Sequence, residues 1–181
     1  MERGVRRNII FHDDIDYKYF LKIMRKSAEK YECQIHAYCL MSNHFHLLLE
    51  TGDIQISDFM RYLVSIYAMY YNRKYEQKGH VFEGRYKSYL ITTDEYFLQT
   101  SRYIHLNPVK ANIVSNPSDY RWSSYRYIFR NVDDNIIKRQ KTLNYFRPQK
   151  FSGYRNFVEG TSQRHPNLEL EIMKDIGEYE V

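Results

Sequence analysis

Apolar positions along the chain alternate between two periods. Tyr17, Phe20, Leu21, Met24, Ala28 and Tyr31 recur at three- and four-residue spacing, with Lys18, Lys22, Arg25, Lys26 and Lys30 between them. That spacing predicts a helix over about 14–31, and Asp13 and Asp14 stand where a helix start favours a carboxylate. The period then falls to two. Ile35, Ala37, Cys39 and Met41 lie on one side of a strand over 34–41, with His36, Tyr38 and Leu40 on the other. Ser42-Asn43 is turn material ahead of a second strand over 44–51, so the two read as a hairpin.

The longer period returns over about 57–75, where Ser57 is the expected cap and Phe59, Met60, Leu63, Val64, Tyr67, Ala68 and Tyr71 form the stripe. Arg73 and Lys74 suit the negative end of that helix dipole. Gly79 and Gly84 bracket residues 80–83, and the basic, aromatic run 85–91 predicts a further strand. Thr93-Asp94 opens a third helix over about 94–106, which Asn107-Pro108 is expected to close or bend, because the residue before proline is pushed out of helical geometry. Residues 119–129 read as a short aromatic helix around Trp122 and Tyr125. A helix follows near 151–159, and the polar tail from Thr161 is expected to be mobile. With one strand added in front, the order is that of a split βαβ, ferredoxin-like antiparallel sheet. The expectation is an α+β protein with its helices on one face, a main domain over 1–130 and a helical extension with a tail over 131–181.

Composition narrows the function class. At 181 residues the chain is long enough for one domain with a real core. It has no apolar run of membrane-spanning length and no signal-peptide pattern, which predicts a cytoplasmic protein with no membrane partner. Two cysteines, Cys33 and Cys39, make no disulfide framework and read as small buried hydrophobes. The net charge of +5, with 19 tyrosines and 10 phenylalanines, points to a polyanion that has faces to stack. A single-stranded nucleic-acid groove combines cations for phosphates with rings for bases. Most of these rings are nonetheless expected to pack in the core. Arg3, Arg6 and Arg7, then Arg85 and Lys87 around Tyr86, then Arg121 beside Trp122 are the candidate DNA track. Each alone reads as a solvated charged face.

Candidate chemistry begins at His44 and His46. On a strand both project to one face, while Phe45, Leu47 and Leu49 project to the other. Such a pair is half of a metal site, or two ordinary strand histidines. Other His-x-His metalloenzymes begin the same way, but Leu47-Leu48-Leu49 stands where a metallo-β-lactamase needs Asp-His. Tyr103 and Asn107, four residues apart, share a helix face. A phenol with a pKa of about 10 is a poor nucleophile at neutral pH, but a metal beside a phosphate lowers the barrier to its attack. The Asn107 carbonyl oxygen is a candidate third ligand of a two-histidine site suited to Mg²⁺ or Mn²⁺.

Three ordered stretches carry a resemblance. Leu40-Met41-Ser42-Asn43-His44-Phe45-His46-Leu47-Leu48-Leu49, Gly79-His80-Val81-Phe82-Glu83-Gly84-Arg85-Tyr86 and Arg102-Tyr103-Ile104-His105-Leu106-Asn107-Pro108-Val109-Lys110-Ala111-Asn112 resemble the single-tyrosine HUH transposases, in particular the REP-associated tyrosine transposases. Asp119-Tyr120-Arg121-Trp122-Ser123-Ser124-Tyr125 is similar to the same pattern, so the resemblance covers roughly residues 3–160. It implies a catalytic domain in which His44, His46 and Asn107 hold a divalent cation and Tyr103 attacks single-stranded DNA beside a hairpin. A 5′-phosphotyrosine link and a free 3′-OH result, and reversal rejoins strands without ATP. Tyr96, seven residues earlier, is the rival nucleophile on nearly the same face. A homodimer is a candidate assembly.

Similar proteins begin with a strand of the kind aromatic-His-Val-x-x-Arg-Gly, and Arg3-Gly4-Val5 matches its end. The first strand is therefore expected to be missing or truncated, exposing a sheet edge beside the histidine strand. A misassigned start, a decayed copy or a substituting segment would each account for this. Two alternatives to an active transesterase stand: a relic that binds nucleic acid without cutting it, and an unrelated His-x-His enzyme acting on a small substrate, against which the positive charge argues.

Overall fold

In chain order the elements are β1 (Glu2–Arg3), α1 (Asp14–Lys30), β2 (Gln34–Met41), β3 (His44–Glu50), α2 (Ile56–Lys74), α3 (Asp94–Lys110), α4 (Tyr125–Ile128), α5 (Arg139–Asn144), α6 (Lys150–Glu159) and α7 (Pro166–Asp175). They are taken from a computed structural model that describes residues 1–130, 136–160 and 166–175. Single-turn 3₁₀ segments fall at Val5–Arg7 and Pro117–Asp119.

The sheet is antiparallel in the order β1-β3-β2. From Ala37↔Leu48 to Met41↔His44 the hairpin register is unbroken, so Cys39 faces His46 and Leu40 faces Phe45. Directly opposed residues share a sheet face. One face therefore carries Ala37, Cys39, Met41, His44, His46 and Leu48, and the other carries Tyr38, Leu40, Phe45 and Leu47. A bulge between Ile35 and Ala37 breaks the alternation. It puts Ile35 in the core beneath Phe45 rather than with Ala37.

That core is aromatic: Phe20 of α1 lies 4.7 Å from Phe45 and 5.1 Å from Tyr67 of α2, measured between ring centroids. Asp13 caps α1 by accepting from Ile15 N and Asp16 N, as the sequence suggests. The expected placement of helices on one face describes α1 and α2. The opposite face is also apolar apart from its histidines, and α3 covers it with Phe97, Tyr103 and Ile104. Residues of α5 and α6, including Leu143, Tyr154 and Phe157, extend the first core, and Cys33 and Cys39 are buried and form no disulfide.

Several expected details differ. Ser57 lies inside α2, whose cap is Gln55 without a side-chain bond. Helix α3 runs through Pro108 to Lys110. Ile104, His105, Asn107 and Pro108 are buried, and this packing outweighs the one hydrogen bond a proline removes two residues before the helix end. Trp122 sits between the 3₁₀ turn and α4, not in a helix. Helix α5, and α7 within the polar tail, were not expected. The mobility expected of the rest of the tail, residues 161–165 and 176–181, falls outside the described residues.

The strand expected over 85–91 does not form. Gly4 bridges Phe82, Glu83 N donates to Arg3 O (2.8 Å), and Lys87 and Met1 exchange backbone bonds of 3.0 and 2.8 Å. The stretch thus runs beside β1, at the position of a fourth ferredoxin strand. Two residues of β1 offer too little ladder to make it one, and Leu90 is 88% exposed. As expected β1 is short, but it still pairs with β3, through Glu2↔Phe45 and Arg3↔His44. The edge beside the histidine strand is therefore covered at His44 and Phe45 and open beyond them. At the far edge of the sheet, Leu40 N donates to Trp122 O and Lys138 N to Ile35 O.

Candidate active site

The strand and the helix converge on three rings. His44 and His46 lie edge to face with centroids 4.9 Å apart, and His46 meets the ring of Tyr103 edge to face at 5.9 Å. Both His46 and Tyr103 are buried, at 2% and 3% exposure. Asn107, one turn after Tyr103, is also buried, and its Nδ2 donates to Tyr103 O (3.2 Å). The donor end of the amide is thus turned to its own helix, and its oxygen points the other way. The structure brings His46 and Tyr103 together. Tyr96 instead lines a cleft of about 550 Å³ beside the open part of β3, with Leu47, Leu49 and Tyr86.

Local chemistry sets the state of the first histidine. Asn43 Oδ1 lies 2.7 Å from His44 Nδ1. A carbonyl oxygen only accepts, so Nδ1 carries a proton, which in the neutral ring leaves the lone pair on Nε2. A metal-binding imidazole is usually held this way, by its other nitrogen. Among the described residues no group of three His, Cys, Asp or Glu is placed to hold a metal. A third donor beside the histidine pair is then of another type, and the Asn107 amide oxygen is of the type that Mg²⁺ and Mn²⁺ accept. Two imidazoles and an amide oxygen are donor types that such a divalent cation accepts.

The predicted cations divide. Register places Arg3, half-buried, on the same face as His44. Arg6 and Arg7 are exposed on a turn with left-handed backbone (φ 52° and 62°), and Arg7 O accepts from Asn43 Nδ2 (3.3 Å). Arg85 and Lys87 are exposed on the stretch beside β1. Arg121 is engaged elsewhere: it pairs with Asp14 at the start of α1 (2.5 Å) and lies over Trp122, which stacks on Tyr17.

Three residues escaped the sequence reading. Lys110 holds its ammonium 4.3 Å over the Tyr103 ring, and its spacing of seven from Tyr103 is the signal that could have found it. Asn43, turn material by its sequence, orients His44 through its side-chain oxygen. His105, fully buried, sits between Tyr154 Oη (2.7 Å, at Nδ1) and Ser124 Oγ (2.8 Å, at Nε2). Ser101 also meets Tyr154 Oη (2.6 Å), and Ser124 Oγ bonds both Tyr38 N (2.8 Å) and Tyr38 O (3.2 Å). One direction of donation satisfies all of them with a neutral imidazole: Ser101 to Tyr154, Tyr154 to His105, His105 to Ser124, Ser124 to the Tyr38 carbonyl. Burial pushes the His105 pKa down to about 3, which keeps the ring neutral. This relay fixes α3, and with it Tyr103, to β2 and α6.

Residues 3–107 match the family described as IS200-like transposases. No curated protein matches. Among solved structures, a REP-associated tyrosine transposase bound to a REP hairpin has the same fold, with a TM-score of 0.58. It is 20% identical, and the match covers 70% of this chain and 73% of that one. No helix of the described residues is long and apolar enough to cross a membrane.

Proposed function

The chain belongs to the IS200-like transposase family, and we propose that it cuts and rejoins single-stranded DNA at a site next to a hairpin, with Tyr103 as nucleophile. The observation that carries this is the contact of Tyr103 with His46 across the α3–β3 interface. In this reading the contact sets the nucleophile against the metal-ligand pair, while Tyr96 lines the neighbouring cleft.

In this reading His44, His46 and Asn107 hold Mg²⁺ or Mn²⁺, which when bound withdraws charge from the scissile phosphate. The Tyr103 phenol oxygen forms a bond to phosphorus as the bond to the 3′ oxygen breaks. The phenol loses a proton and the departing 3′ oxygen gains one, leaving a 5′-phosphotyrosine and a 3′-OH. A second 3′-OH reverses the step without added energy. Arg3, on the His44 face, binds a neighbouring phosphate, and Arg6, Arg7, Arg85 and Lys87 extend the track to flanking DNA. Arg121, half-exposed with donors beyond the one that meets Asp14, joins the track from the start of α1.

Burial of Tyr103 favours one second reading, that the chain binds hairpin DNA without cutting it. Incubation with single-stranded hairpin pools and Mn²⁺, followed by denaturing electrophoresis, separates the two. An adduct that vanishes with Tyr103→Phe or with EDTA supports the transesterase. Retained binding with no adduct from the wild type supports the second reading.

A further inference from the structure

We propose that Lys110 is a further active-site residue, whose ammonium neutralises the scissile phosphate as Tyr103 attacks it. The inference rests on the reading of Tyr103 as the nucleophile. Tyr103, Asn107 and Lys110 stand at i, i+4 and i+7 of α3, one stripe of the helix. Lys110 Nζ lies 4.3 Å from the centroid of the Tyr103 ring, while the same ring meets His46 edge to face. The nucleophile is thus bracketed by the imidazole of a proposed metal ligand and by a cation.

A simpler account exists for the lysine. A cation in the last turn of a helix favours the dipole, and an ammonium over a phenol face is attractive in itself. Neither account includes the substrate. For attack, phosphorus must come within about 3–3.5 Å of the phenol oxygen. Its non-bridging oxygens are then within reach of an exposed ammonium on a flexible four-carbon stem already lying over that ring. Negative charge on those oxygens grows as the phosphorus–tyrosine bond forms and the bond to the 3′ oxygen breaks, and a cation beside them stabilises that state most. Lys110 keeps its proton throughout and acts by charge.

The test uses the hairpin oligonucleotide that the wild-type chain cleaves, with the cut position mapped from the released 3′-OH strand. Single-turnover adduct formation is measured for wild type, Lys110→Gln and Lys110→Arg. Each is assayed on the normal phosphodiester and on a methylphosphonate at the scissile position, which carries no charge there. On the phosphodiester, Lys110→Gln is expected to be about a hundredfold slower, and Lys110→Arg within about tenfold of wild type, with half-saturating DNA concentrations changed less than about threefold. On the methylphosphonate, wild type and Lys110→Gln are expected to agree within about twofold. An equal defect on both substrates would mean that Lys110 only supports the helix, and no defect on the phosphodiester would remove it from the site; either overturns the inference while leaving the Tyr103 reading intact. Absence of any wild-type adduct overturns both.

Discussion

Substituting Asp16 is expected to loosen the whole N-terminal half of the fold. Its side chain is fully buried, and its carboxylate ties the start of α1 to the end of α2. Oδ1 accepts from Lys74 Nζ (2.6 Å) and Tyr70 Oη (2.8 Å), and Oδ2 from Tyr75 Oη (2.7 Å) and His12 N (2.8 Å). Lys74 also reaches Asp13 (2.8 Å). The same patch of α2 holds the segment after β1, because Tyr67 Oη donates to Ile10 O (2.5 Å) and Tyr71 Oη to Ile9 O (3.0 Å). Removing one partner of a buried ion pair costs about 3–5 kcal/mol. Lys74 is 24% exposed, so Asp16→Ala is expected near the lower figure, about 3 kcal/mol. Asp16→Asn, which keeps one acceptor, is expected to lose about 2 kcal/mol.

Urea unfolding followed by fluorescence of the one tryptophan, Trp122, measures this directly, since that ring stacks on Tyr17. A pH series adds a second check. Burial works to raise the Asp16 pKa, but Lys74, Tyr75, the His12 amide and Tyr70 together hold it below its ordinary 3.8. A carboxylate depressed in the folded state adds stability above its unfolded value and loses it as pH falls through the folded one. Wild type is therefore expected to weaken below about pH 4 along a limb that is shallower in Asp16→Asn. Unchanged urea midpoints for both variants, or identical acid limbs, would refute the clasp.

Four further outcomes are expected. Glu2→Gln should stabilise the chain at pH 8 and much less at pH 5 in denaturant melts, because burial raises the Glu2 pKa to about 7 and the folded state resists its charged form above that value. Gly4→Ala should lower stability by about 1–3 kcal/mol in the same melts, because an added Cβ would lie 2.7 Å from the Ile10 side chain and closer still to the backbone oxygen of Asn8. His105→Leu, read by thermal unfolding, should cost roughly 2 kcal/mol by removing one partner each from the Ser124 and Tyr154 hydroxyls, which keep only Tyr38 and Ser101. His46→Ala should abolish the Mn²⁺-dependent adduct while binding to hairpin DNA, read by gel shift, persists.

The hairpin and the histidine pair were legible because strand alternation is local: register alone puts His44 and His46 on one face and Phe45 on the other. The choice of Tyr103 over Tyr96 rested on the position of Tyr103 in the motif, since helical spacing alone puts both on nearly one face; the contact of Tyr103 with His46 comes from the packing of α3 on β3, which spacing does not reveal. Pro108 misled for the same reason, a local rule overridden by burial. Residues 85–91 have strand propensity but lie beside a two-residue partner, and propensity without a ladder leaves an extended stretch. The pairing of Arg121 with Asp14, far away in sequence, could not be read from composition. Helix α7 carries its apolar contacts at Leu168, Ile172 and Met173, a pattern too sparse to read before α3 supplies the surface they pack on.

The central claim is that Tyr103 is the residue that takes the DNA. Trypsin separates it from its rival, because cleavage after Arg102 and Lys110 releases peptide 103–110 with Tyr103 as its one tyrosine, while Tyr96 stays in peptide 88–102. Mass spectrometry of the nuclease-trimmed adduct is expected to find the 5′-phosphonucleotide on peptide 103–110. A nucleotide on peptide 88–102, or on any other, would contradict the assignment and the site built around it.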